Sequence, residues 1–123
     1  MSTRCQVLVI GDDINGGGKF TLYHHCDGYP SYMLPTIAKG WANIWQSERV
    51  GKAASMIIGA DPIGFELESS NSIHGDIEYY YIVEVHSRNW KIKVYETPFD
   101  CKTVNDMNPL GTFSIKEAIA YSE

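Results

Sequence analysis

Residues Leu22 to Tyr32 read LYHHCDGYPSY and hold two of the four histidines and one of the three cysteines in the chain. If the strand that carries them runs on to Asp27, then His25 and Asp27 share one face, because side chains alternate along a strand. Pairing that strand with the N-terminal one sets Arg4 opposite His25. A histidine with a carboxylate and a guanidinium nearby suits general acid/base chemistry or anion binding. Arg4, His25, Asp27 and Tyr29 therefore form the candidate cluster. The competing reading is an Arg4–Asp27 ion pair that ties the N-terminus to the turn, with His25 packed beside it. Ion-pair networks with a purely structural role produce the same pattern.

Other chemistries fit the residues less well. A nucleophile must share a face with its base, and Cys26 points away from the adjacent His25 on a strand. Zinc needs four ligands; His24 is expected inward, and His74 and His86 have no ligand spacing. GDDINGGGK is not a phosphate loop, since Asp13 stands where the first glycine belongs and Phe20 where the hydroxyl belongs. No metal, cofactor or catalytic residue is assigned.

The elements that would position the cluster can be read from periodicity. CQVLVIGDD and KFTLYHH alternate and form a hairpin in which Ile10 faces Lys19 and Cys5 faces His24, placing Cys5, Val7, Val9, Phe20 and Leu22 on one face. Asp27-Gly28 turns the chain, with Gly28 free to take positive φ, and Pro30 suits a first helical turn. Leu34, Ile37, Ala38, Trp41, Ile44 and Trp45 make a helical stripe, weakened by Pro35 and Gly40. KAASMIIG reads as a second short helix. Strands follow at GFELESS, DIEYYYIVEV and NWKIKVYET, the last two in a register that sets Val85 against Trp90, Val83 against Ile92, Tyr81 against Val94 and Glu84 against Lys91. Ser114 and Glu117 form a capping box before a last helix. The order β-β-α-α-β-β-β-α predicts one α+β domain over residues 1–123, an antiparallel sheet of about five strands with helices on one face. Trp41 and Trp45 should pack on the sheet face that carries Val83, Val85 and Ile92.

Charge singles out a second region. Between Lys52 and Arg88 there is no Lys or Arg, while Asp61, Glu66, Glu68, Asp76, Glu78 and Glu84 all fall there. Alternation can put Glu66, Glu68, Glu78 and Glu84 on a sheet face with Tyr80 and Tyr95, an acidic surface fit for a basic protein partner. The plain alternative is a solvated sheet surface whose charges discourage edge pairing. A formal net charge of −5 speaks against nucleic acid, whose phosphates call for clustered Lys and Arg. No segment has the run of about 20 apolar residues that spans a bilayer. Three cysteines without a C-x-x-C pair suit a reducing cytoplasm.

The opening MSTR together with LYHHCDGYP resembles a family of small bacterial and phage proteins of unknown function with a Y-x-H-x-D-G-Y-P signature. Thr3, Arg4, Tyr23, His25, Asp27, Gly28, Tyr29 and Pro30 carry the match, over about the first quarter of the chain. The resemblance implies a phage or prophage setting in a bacterial cytoplasm, not a reaction. Two readings follow. One is a non-enzymatic accessory protein that binds a host protein through the acidic face, as an inhibitor of a defence system (anti-CRISPR-like) would. The other is a small enzyme or ligand-binding domain built on Arg4, His25, Asp27 and Tyr29. Oligomeric state is left open.

Overall fold

The computed structural model describes residues 3–11, 18–42, 49–86 and 89–121. The N-terminal hairpin forms as its alternation dictates: β1 (Cys5–Gly11) and β2 (Lys19–His24) pair antiparallel, with Cys5 facing His24 and Ile10 facing Lys19. The expected loop at 12–17 lies outside the described residues. The chain continues through α1 (Pro30–Ala42), α2 (Val50–Ala60), β3 (Phe65–Leu67), β4 (Tyr79–His86), β5 (Asn89–Glu96), β6 (Asn108–Ser114) and α3 (Ile115–Ile119). The second hairpin, β4–β5, has the register read from its apolar face, with Val85 on Trp90, Val83 on Ile92 and Tyr81 on Val94.

The α+β class holds, but the sheet is mixed and has six strands in the order β3-β2-β1-β4-β5-β6. Two expectations need correction. β1 pairs with β4 in parallel, from Cys5–Tyr79 to Gly11–Val85, so the sheet is not wholly antiparallel. Helices and a crossing connection separate these strands, so a parallel approach is open to them. The sixth strand, NPLGTFS, escapes periodicity because Pro109 and Gly111 interrupt it; both are tolerated because β6 is an edge. The pairing slips at Val94/Tyr95, beside Gly111.

One sheet face carries the helices. Val7, Val9, Leu22, Tyr81, Val83, Trp90 and Ile92 meet Leu34 and Ile37 of α1, Ala54 and Ile57 of α2, and Ile115 of α3. Gly40 belongs to this packing: a Cβ there would lie 2.8 Å from Ile57 Cα, so its absence lets α1 and α2 approach closely. Trp41 packs against this core while staying half-buried. Trp45 lies outside the described residues. Among the described residues the fully buried indole is Trp90 of β5, at 1% exposure. The capping box forms as read: Ser114 Oγ accepts from Glu117 N–H at 3.2 Å, and Glu117 Oε1 accepts from Ser114 N–H at 2.9 Å.

The other face is roofed by loops. Tyr23, Tyr80, Ile77, Cys101 and Met107 form a second apolar cluster with Leu8, Ile82 and Tyr95 around it. Gln6, wholly buried, clamps the first loop by donating to the Ser72 carbonyl (3.0 Å) and accepting from His74 N–H (3.0 Å). Among the described residues no helix is long and apolar enough to cross a membrane.

Candidate functional site

The DGYP turn is built by backbone proximity. Asp27, not Gly28, takes the left-handed conformation, at φ 55°. Gly28 is required for space: a Cβ would sit 2.8 Å from Cys5 Cβ and 3.0 Å from the Arg4 and Cys5 backbone. Its N–H donates to the Thr3 carbonyl at 2.9 Å, and its carbonyl accepts from Tyr81 OH at 2.6 Å. The turn therefore docks on β1 and β4 as a rigid joint.

Arg4, His25, Asp27 and Tyr29 do not converge. Arg4 lies 3.6 Å from Asp76, His25 Nε2 lies 3.1 Å from Glu66, and Asp27 accepts from Tyr29 OH at 3.2 Å. The proposed Arg4–His25–Asp27 contact is thus replaced by three separate pairs. The physical reason is that β2 ends at His24, and the left-handed turn at Asp27 takes that side chain off the strand face.

The neighbouring histidine makes the closed network. His24, 1% exposed, has Nδ1 on the Cys26 carbonyl and Nε2 2.7 Å from Asp61 Oδ2. Tyr32 OH donates to the same carboxylate oxygen at 2.8 Å, and Gly64 N–H donates to the other at 3.2 Å. Burial alone would raise the Asp61 carboxyl, but donors from His24, Tyr32 and Gly64 outweigh it and hold the group below its usual range. A Cβ on Gly64 would fall 2.2 Å from His24 Nε2, so the glycine admits the ring. With both ring nitrogens engaged, neither is presented to a substrate. Cys5, directly opposite His24, is no thiolate either, because burial pushes its thiol up.

On the loop-covered face the two regions singled out in the sequence meet. The Tyr23 ring lies between His25 (centroids 4.6 Å apart) and His74 (4.7 Å), and its hydroxyl donates to Asp76 at 3.2 Å. Burial, followed by the Asp76 carboxylate, pushes this phenol up to about 12. Glu66 pairs with His25 and Glu68 with His74, so both acids have histidine partners despite the absence of Lys or Arg between Lys52 and Arg88. Glu84 bonds to Lys93 at 2.9 Å, diagonal to its register partner Lys91. Tyr80 does not border an exposed acidic face: it is 3% exposed, under the loops, while Tyr95 is half-buried beside it.

The carboxylates that stay open lie at the end of the sheet where β4 starts and β5 finishes. Arg4, Asp76, Glu78, Thr97 and Phe99 line a cleft of about 520 Å³. A second cleft of about 370 Å³ adjoins it, sharing Glu78 and Thr97 and adding Tyr79, Glu96 and Asp106. Among the described residues Glu78, Glu96 and Asp106 make no ion pair; Asp106 accepts from the Thr103 hydroxyl at 3.0 Å. Glu78 was visible in the sequence. Glu96, Asp106 and Phe99 were not, because they flank or lie in an irregular connection with no periodic signal.

Among the described residues no group of three or more His, Cys, Asp or Glu side chains is placed to hold a metal ion. The chain matches no protein-family model, no curated protein and no solved structure.

Proposed function

We propose that this chain is a non-enzymatic binding protein that engages a protein partner through basic side chains seated in the paired clefts at the end of the sheet. The observation that carries the reading is the convergence of Glu78, Glu96 and Asp106 on one concave surface, with no described cation paired to any of them. Like charges held together destabilise a fold through mutual repulsion, and a basic partner offsets that cost. An enzymatic reading has less support, since the cluster it needs is dispersed and His24 is closed off. The resemblance of the N-terminal quarter to small phage proteins extends the proposal to a biological role: a partner in the host's defence machinery, bound and inhibited.

The test is capture of partners from a bacterial lysate by the parent chain and by Glu78→Lys/Glu96→Lys, with the bound proteins identified by mass spectrometry at low and high salt. A partner retained by the parent, lost by the variant and weakened by salt is expected. Equal capture by both chains removes the clefts from the function.

A further inference from the structure

We propose that the wall shared by Phe99 and Glu78 is an arginine seat, which takes the guanidinium of an extended segment on the protein partner in preference to a lysine. The inference rests on the binding function proposed above and specifies the side chain that the clefts receive.

Phe99 is 91% exposed and lines the same cleft as Glu78. No described ring or cation contacts it. The turn that presents it is fastened on both sides. Before it, Thr97 N–H donates to the Glu78 carbonyl at 3.0 Å and the Thr97 hydroxyl to the Ile77 carbonyl at 2.5 Å. After it, Asp100 N–H donates to the Gly75 carbonyl at 3.0 Å and Cys101 N–H to the Pro98 carbonyl at 3.3 Å. The backbone that carries the ring is thus held by a fixed frame, which lowers the ordering cost of placing an aromatic anchor at the cleft.

Charge then selects the occupant. A cation on the ring face is attracted by its quadrupole, and a planar guanidinium can stack there while its edge bonds a carboxylate. Lysine offers a point charge on a flexible stem and gains less from the ring. Asp76 is already engaged by Arg4 and Tyr23, and its charge offsets that of Arg4. Glu78, facing both clefts, is the carboxylate left to meet the incoming side chain, with Glu96 next to it for a second basic residue.

Two capped peptides test this, Ala-Arg-Ala-Arg-Ala and Ala-Lys-Ala-Lys-Ala, titrated into the ¹⁵N-labelled chain while amide shifts over residues 75–79 and 96–100 are followed. The arginine peptide should bind about threefold tighter than the lysine peptide, the size of an exposed cation–π contact. Phe99→Leu, an exposed apolar replacement, should erase that preference, and Glu78→Gln should weaken both peptides. Equal affinities, or a preference that survives Phe99→Leu, overturn the arginine seat; carboxylate-dependent binding of both peptides would then leave the broader reading standing. Absence of shifts with either peptide overturns both.

Discussion

His24 and His25 show how much one residue of spacing decides. Alternation places His24 inward and His25 outward, and both positions were legible from the strand pattern. What His24 meets was not legible, because Asp61 comes from a turn 37 positions away that carries no periodic signal. The network makes a pH prediction. The folded-state Asp61 carboxyl is depressed, so its contribution is fully present above the ordinary aspartate value of about 3.9 and is lost as pH falls below that toward the depressed value. Asp61→Asn should therefore cost about 1–3 kcal/mol at pH 7, with the difference from the parent shrinking as pH falls below about 4. Urea unfolding at pH 7 and pH 3 checks it. An equal difference at both values would mean that the Asp61 charge plays no part.

At the scale of elements, the two hairpins were readable because each has a consistent apolar face, and a slip of one residue would have buried Lys91 or Gln6 on the helix side. The parallel seam between β1 and β4 was not readable. Nothing local in CQVLVIG specifies which distant strand fills its second edge. The roofing loops at 69–78 and 97–107 were likewise hidden, and they turned Tyr80 from an expected contact residue into a core one. Trp90 replaces Trp41 as the indole whose loss should be severe. Trp90→Ala should cost about 3–5 kcal/mol, the range for truncating a buried aromatic, and half-buried Trp41→Ala clearly less. Thermal unfolding of the two variants side by side decides the order; a larger loss at Trp41 would place that ring deeper than described.

Over the whole molecule, the acidic surplus read from the sequence is real, but its distribution differs from a uniform face. Glu66, Glu68 and Glu84 are paired with histidine or lysine, whereas Glu78 and Glu96 make no ion pair among the described residues. Charge reversal should accordingly be position-dependent. Glu78→Lys/Glu96→Lys should slow partner association by about tenfold or more at low salt, and Glu66→Lys/Glu68→Lys should change it by less than about threefold. Stopped-flow association at two ionic strengths separates them. Equal effects would restore the uniform acidic face. The sequence showed the sign of this field; only the meeting of the 73–79 and 96–108 segments at one sheet end shows its focus.

The β1–β4 seam also fixes an order of assembly. Every residue pair across it is separated by roughly seventy positions, so closing it costs far more chain entropy than zipping β4 onto β5, whose pairing starts from His86 and Asn89, close neighbours in the chain. The two hairpins, β1–β2 and β4–β5, can gather local contacts before the seam joins them. In a rate experiment Ile92→Ala, inside the local hairpin, should mainly slow folding. Until that joining step, the bare edges of β1 and β4 are open strands in a half-built sheet. They are where this chain is most exposed to pairing with the wrong molecule.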